Sequence, residues 1–204
     1  MHFTLSTIAF MVAALLPMAA QANFDVYRVE WIYINRPSIG WQFFEAEPRN
    51  CDQVINTPVW EDHGDVSGSR LGVRCEGSGC GPTPPPNDID ELEIHTSNNP
   101  LYHWTLYKDR GRSMVGLDGN TYGNCIVFPN GDYNCPVAGQ IFRIEGRRKF
   151  RCLTRFTAAQ LNSNARVPGD AADADAPPLL TFAEYIDVLN GKDISNKTAV
   201  SFTS

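Results

Sequence analysis

Large apolar side chains alternate with polar ones through much of this chain, which is the spacing that β-strands produce. Residues 23–35 differ because both sets of alternating positions carry large apolar groups, so we predict a central strand covered on both faces for part of its length. The predicted fold class is mainly β, a disulfide-stapled antiparallel sandwich or barrel with a short C-terminal helix, and an α+β fold is the alternative. The other strand-like segments are residues 41–45, 69–75, 90–96, 101–108, 140–144 and 149–155.

The N-terminal segment has the composition of a targeting signal. Residues 1–22 contain no Asp, Glu, Lys or Arg, and the run from Ile8 to Ala20 is almost wholly apolar. Ala20-Gln21-Ala22 fits the small-x-small pattern of a signal-peptidase site, and the apolar run is short for a membrane span. We therefore expect a cleaved signal peptide and a secreted, extracellular protein without a transmembrane anchor; an uncleaved anchor is the alternative.

The alternating pattern ends near residue 163, after a segment that is compatible with a short helix at residues 156–163. Residues 166–178 form an acidic linker rich in Ala and Pro, without large apolar groups. Residues 181–190 begin with a capping box and place their apolar side chains on one helical face, which predicts a short amphipathic helix. Asn196 begins a sequon for N-glycosylation in the polar tail. The predicted regions are the signal peptide 1–22, the cysteine-rich β core 23–163 and the appendage 164–204.

The chain contains six cysteines, and an even number is typical of a disulfide framework in an oxidising compartment. Pro129-Asn130-Gly131 suits a three-residue hairpin loop, which would place Cys125 opposite Cys135 at a separation that a disulfide accepts. We therefore predict a disulfide between Cys125 and Cys135. The other four cysteines can pair in three ways that the sequence does not separate: Cys51, Cys75, Cys80 and Cys152.

The formal net charge of −6 argues against a protein that binds nucleic acid through a global basic field. One basic cluster stands out near residue 149. On a strand, Arg147, Lys149 and Arg151 would project from one face, where they could bind phosphates, sulfates or an acidic polysaccharide. The alternative is a solvated sheet face or a strand edge protected by its charge.

Two histidines supply the best candidate for acid–base chemistry. A hairpin turn at residues 97–100 would bring His95 close to His103, with Glu93 on the same strand face as His95. Two imidazoles and a carboxylate could serve as acid and base in RNA cleavage, or could bind a metal ion. The alternative is two half-exposed strand histidines. No motif for a resident metal or cofactor is present, and we predict neither.

Exposed aromatic rings could stack on the face of a sugar, and the strand segments supply several candidates. Most are better explained as core residues, because the strands of a small domain need large side chains to fill the interior. The candidates are Trp31, Trp41, Trp60, Trp104, Tyr102 and Tyr107.

The stretches TYGNCIVFPNGDYNC (residues 121–135) and EGRRKFRCLTRFTAAQLN (residues 145–162) resemble uncharacterised secreted fungal proteins. The whole layout, with a signal peptide, a β-rich core with an even cysteine set and a low-complexity tail, is similar to that of small cysteine-rich, effector-like proteins of filamentous fungi. The resemblance implies a role at a host or at the cell wall, and it supplies no catalytic residues.

These observations favour a secreted, non-enzymatic interaction protein, effector-like, that binds a host protein or a cell-wall glycan. No G-x-S-x-G, H-E-x-x-H or P-loop motif indicates an enzyme. The alternative function is a small secreted hydrolase, such as a ribonuclease, that uses His95, His103 and Glu93.

Overall fold

The computed structural model describes residues 22–33, 36–137, 142–163 and 187. Within these residues the chain forms ten β-strands and two short α-helices. The helices are α1 (Cys51–Asn56) and α2 (Ala158–Asn162). The strands are β1 (Asn23–Tyr33), β2 (Arg36–Phe44), β3 (Trp60–Glu61), β4 (Gly72–Glu76), β5 (Glu91–Asn98), β6 (Leu101–Tyr107), β7 (Ser113–Gly116), β8 (Thr121–Val127), β9 (Tyr133–Val137) and β10 (Phe142–Thr154).

The strands form one antiparallel sheet that curls into a nearly closed barrel. Its strand order is β3-β2-β1-β10-β8-β7-β6-β5-β4, and β9 pairs with β10 beside this path. The two edge strands meet at Asp62, which forms a parallel bridge with Val73 of β4, and the His63 N–H donates a 2.9 Å hydrogen bond to the Val73 carbonyl. This contact covers edges that an open sheet would expose. The predicted mainly β, antiparallel fold class is confirmed in its barrel form.

Strand β1 lies between β2 and β10 and is covered on both faces, as its double apolar pattern predicts. Phe24 and Val26 belong to the core inside the barrel, whereas Tyr27 and Val29 belong to a second apolar cluster on the outer face. Burial of the interior side chains supplies the main driving force for folding. The largest of them are Trp41, Trp60, Trp104, Phe24, Phe43 and Phe150.

Helix α1 covers the outer cluster. Its first turn is capped by Asn50, whose side-chain oxygen accepts a 2.9 Å hydrogen bond from the Gln53 N–H. The disulfide from Cys51 to Cys135 joins the helix to β9, and Val54 is fully buried against the sheet. The helix is only six residues long, so this disulfide and the buried contacts hold it in place.

The three disulfides are Cys51–Cys135, Cys75–Cys80 and Cys125–Cys152, so the predicted pairing of Cys125 with Cys135 is wrong. The prediction assumed that β8 and β9 form a hairpin. Instead, both strands pair with the same side of β10, with β9 along residues 142–146 and β8 along residues 150–154. Cys125 therefore lies opposite Cys152, and Cys135 lies opposite Ile144.

Strand β10 is continuous through residues 145–148, where the sequence pattern left a gap between the strand segments 140–144 and 149–155. Gly146 pairs with Tyr133 of β9, and the Tyr133 ring occupies the place where a Cβ at residue 146 would stand. The glycine therefore permits a close approach between two strands and does not mark a turn.

The end of the described core agrees with the sequence. Helix α2 lies within the predicted segment 156–163 and begins with a capping box in which Thr157 and Gln160 exchange hydrogen bonds. The predicted signal peptide apart from residue 22, the helix at residues 181–190 apart from residue 187, and the Asn196 sequon lie outside the described residues. Within the described part of the chain, no helix has the length and apolar character needed to cross a membrane.

Candidate functional site

The hairpin of β5 and β6 brings the two predicted histidines together. His95 and His103 are direct cross-strand partners, and their rings stack with centroids 4.1 Å apart and planes inclined by 9°. The rings are not half-exposed, because His95 is 0% and His103 is 3% exposed. The alternating pattern therefore located the pair but did not indicate its burial.

Glu93 and Arg74 continue this cluster on the side of His103. His103 Nε2–H donates a 2.7 Å hydrogen bond to Glu93 Oε1, and Arg74 Nε–H donates a 2.7 Å bond to Glu93 Oε2. Arg74 also pairs with Glu91 at 3.0 Å and with Glu76. Burial raises the pKa of Glu93, but the hydrogen bonds from Arg74 and His103 outweigh it and hold that pKa below its usual range.

His95 fastens the loop between β3 and β4 to the barrel. Its Nδ1–H donates to the Val66 carbonyl at 3.0 Å, and its Nε2 lies 3.1 Å from Asn98 Oδ1. Asn98 in turn donates from Nδ2 to the Ser69 carbonyl at 3.1 Å. Burial lowers the pKa of His95, and the adjacent His103 lowers it further, against the opposing effect of the Val66 hydrogen bond.

The stacked histidines are buried and stabilise the fold. A general acid or base must come within hydrogen-bonding reach of the substrate, and neither buried ring edge has such access in this structure. The His103 Nδ1 is buried, and no hydrogen-bond partner for it lies within the described residues. Among those same residues, no set of three or more His, Cys, Asp or Glu side chains is placed to hold a metal ion.

Acidification from about pH 7.5 to about pH 5 is expected to lower the free energy of unfolding. The folded protein binds a proton at His95 less readily than the unfolded chain does, because the folded-state pKa is lowered. Stability is therefore lost as the pH falls below the unfolded value of about 6.5 toward the lower folded value. Urea denaturation at both pH values measures the change.

The matched control for this acid effect is His95→Gln, which keeps a polar side chain but does not titrate. The loss of stability between the two pH values should be smaller in this variant than in the wild type. An equal loss in both proteins would contradict the role of His95.

The predicted basic row does not form one face. Strand β10 carries a β-bulge opposite Val26 and Tyr27, and the extra residue reverses the side-chain parity. Arg147 therefore shares a face with Arg28, whereas Arg151 shares the opposite face with Asp25. The prediction of one basic face assumed that side chains alternate without interruption along residues 147–151, and the bulge breaks this alternation.

Each member of the row is already engaged within the protein. Arg147 pairs with Asp132 at 3.1 Å and with Glu145 at 3.5 Å. Arg151 donates two hydrogen bonds, of 2.7 and 3.0 Å, to the fully buried carboxylate of Asp25. These contacts stabilise the sheet and leave no ordered row of free cations for a polyanion.

Lys149, at the bulge, is 1% exposed and holds a Gly- and Pro-rich loop against one end of the barrel. Its Nζ lies within hydrogen-bonding distance, 2.6–3.3 Å, of four backbone carbonyls that accept from its three N–H groups, although burial lowers its pKa to about 8. The carbonyl dipoles favour the charged ammonium and offset part of the cost of burial. The carbonyls belong to Gly79, Gly81, Pro82 and Pro84.

The opposite end of the barrel carries a cluster of aromatic rings. The β5–β6 turn, the β7–β8 turn and the end of β10 meet there. Trp104 is 2% exposed at the base of the cluster, and the other three rings are partly buried. We name this surface the aromatic mouth, and its rings belong to Tyr102, Trp104, Tyr122 and Phe156.

Half of the six aromatic candidates from the sequence are buried core residues, and the other three are partly buried. Trp41, Trp60 and Trp104 are 0–2% exposed. Tyr102 is at the aromatic mouth, whereas Tyr107 lies at the other end of β6, beside a cavity of about 500 Å³. Trp31 packs against the outer cluster.

Tyr122 and Phe156 are partly exposed aromatic residues that the sequence pattern did not indicate. Tyr122 follows the Asp118-Gly119 turn, and Phe156 lies two residues after the end of β10. Only the position of each residue near the end of a strand could have indicated an aromatic site. The ends of neighbouring strands and the turns between them lie together at one end of a barrel.

Comparisons of this chain with protein-family models, with curated proteins and with solved structures find no match. The three disulfides are compatible with an extracellular protein.

Proposed function

We propose that this protein acts outside the cell as a non-enzymatic, effector-like interaction protein that binds a host protein or a cell-wall glycan at the aromatic mouth. The observation that carries the proposal is the set of partly exposed rings around Trp104. Barrel mouths are frequent ligand sites, and exposed aromatic side chains are enriched where proteins bind partners.

The barrel supplies the rigidity that such a surface requires. Three disulfides and two apolar clusters fix the strands that present the rings. A surface that is ordered before binding loses less conformational entropy when it binds. The buried state of His95 and His103 further favours binding over the alternative ribonuclease function.

Binding is tested with the full-length, disulfide-bonded protein, labelled with a fluorophore and titrated onto isolated cell walls. Saturable binding that an excess of unlabelled protein displaces is expected, and reduced, alkylated protein should not bind. Binding that stays proportional to concentration, or that survives reduction, would contradict the proposal.

The ribonuclease alternative is tested in parallel by incubating a single-stranded RNA with the wild type and with the double variant His95→Gln/His103→Gln. The expected result is the same background rate of RNA loss in both samples. Cleavage by the wild type that the folded double variant lacks would establish the hydrolase instead.

A further inference from the structure

We infer that the aromatic mouth is a binding site for an uncharged glycan, an inference that rests on the function proposed above. Aromatic rings offer flat apolar faces to the C–H groups of a sugar, while carboxylate and amide groups at their edges hydrogen-bond to its hydroxyls. The mouth combines both kinds of group on a rigid barrel end.

The rings are fixed in place before any ligand arrives. Tyr102 stacks on Trp104 with centroids 5.6 Å apart and planes inclined by 22°, and Phe156 lies 4.6 Å from Trp104. Tyr122 completes the group at 6.0 Å from Phe156. Since β6, β8 and the segment after β10 each contribute rings, the mouth is a property of the folded barrel and not of one loop.

Helix α2 explains why the rings remain partly exposed. It contacts β1, β2 and β5, and its Ala158 and Leu161 fill the core on that side of the barrel end. The side formed by β6–β8 is covered by the rings themselves. Leu101, the first residue of β6, and Leu117, in the β7–β8 turn, are 51% and 66% exposed at the same end of the barrel.

Polar groups lie at the edge of this apolar surface in a fixed arrangement. The exposed Asp118 carboxylate accepts hydrogen bonds from Tyr122 Oη–H at 2.7 Å and from Asn120 Nδ2–H at 2.7 Å. The backbone N–H of Asn120 donates to it as well, at 3.0 Å. These three bonds hold the pKa of Asp118 below its usual range, so it remains an acceptor in mildly acidic surroundings.

The charges at the mouth favour an uncharged ligand. The Arg155 guanidinium lies 5.2 Å from the Phe156 ring and 5.7 Å from the Tyr122 ring, and the Tyr122 hydroxyl binds Asp118, so the mouth carries one positive and one negative charge. Asp118 would repel an acidic polysaccharide, and Arg155 would repel a strongly basic partner. A neutral chain of sugars avoids both conflicts and can use both groups as hydrogen-bonding partners.

The test uses soluble hexasaccharides of β-1,4-glucose, β-1,3-glucose, β-1,4-xylose, β-1,4-mannose and β-1,4-N-acetylglucosamine, titrated into the full-length protein by isothermal calorimetry. At least one of these probes is expected to bind. Tyr102→Ala should weaken that binding by about tenfold, since it removes one stacking surface. Asp118→Ala, an exposed substitution, should weaken it without changing the fold.

Tyr107→Ala is the matched control. Tyr107 is on the same strand as Tyr102 and is likewise partly buried, but it lies at the other end of the barrel under Arg110. Its substitution should leave the affinity unchanged. Denaturation midpoints of all three variants identify any loss that comes from unfolding, and Asp118→Ala serves if Tyr102→Ala unfolds.

Two results would overturn the inference. In the first, no hexasaccharide binds to the protein, whereas intact cell walls do, and protease treatment of the walls abolishes that binding. This result would leave the proposed function in place with a protein as the partner. The other is that a hexasaccharide binds equally well to the wild type and to folded Tyr102→Ala and Asp118→Ala. Failure to bind cell walls as well as sugars would contradict this inference and the cell-wall form of the proposed function.

Discussion

Replacing Cys51 and Cys135 together with alanine is expected to lower the free energy of unfolding by about 4–5 kcal/mol. This disulfide joins residues 84 positions apart, so its removal releases the largest loop in the unfolded chain of the three disulfides. It also frees helix α1 from β9, at the border of the outer apolar cluster. Urea denaturation of the double variant measures the effect.

The matched control is the double variant Cys75→Ala/Cys80→Ala. This disulfide closes a separation of only five residues, so its loss should cost about 2 kcal/mol. Cys125 and Cys152, 27 positions apart, should give a value between the two. If the loss from the 51–135 variant is no larger than that from the 75–80 variant, loop closure is not what makes this disulfide stabilising.

Asp25→Asn is expected to destabilise the protein by about 3–5 kcal/mol. Asp25 is 0% exposed and accepts hydrogen bonds from Arg148 at 3.0 Å and from Arg151 at 2.7 and 3.0 Å. Asparagine has almost the same shape, so packing is retained while the charge is lost. The Arg148 side chain, 7% exposed, would then lose its buried carboxylate partner and keep the exposed Glu47 at 3.7 Å.

Asp90→Asn provides the control for this second effect. Asp90 pairs with Lys108 at 3.0 Å, but the two side chains are 62% and 45% exposed. Its loss should therefore cost less than about 1 kcal/mol, because water already screens the pair. Equal free energies of unfolding for the two variants would show that the Asp25 pairs contribute no more than a surface ion pair does.

Several features followed from local sequence alone because the pattern of each segment has one physical solution. Residues 23–33 carry apolar side chains on both faces, and such a segment is stable only between two apolar layers. The alternation through β5 and β6, with a turn between them, predicted that His95 and His103 approach each other, and the structure supplies the register that places them directly opposite. Residues 156–163 similarly indicated a short helix, and the structure places its start at the capping box of Thr157 and Gln160.

The disulfide pairing could not be obtained this way. The pairing depends on the fact that β8 and β9 both pair with one side of β10. Contacts between residues far apart in the sequence decide that arrangement. A loop such as Pro129-Asn130-Gly131 permits a hairpin, but here it carries the chain from β8 to β9 along the side of β10. Local turn chemistry is therefore compatible with both arrangements.

The charged residues of β10 show the same limit on a smaller scale. One extra residue at the bulge reverses the faces of all side chains beyond it, so Arg147 and Arg151 diverge. The burial of Lys149 depends on a loop at residues 79–84 that is remote in the sequence. A strand pattern carries no information about either contact.

By itself, the sequence determined the mainly β class, the central place of β1, the His95–His103 pair and the short helix α2, because strand alternation and helix capping act over a few neighbouring residues. The tertiary structure alone decided the disulfide partners, the burial of the histidines, the dispersal of the basic row and the aromatic mouth. Each of these depends on how distant strands are ordered and closed into a barrel, and that closure selects which faces and ends meet.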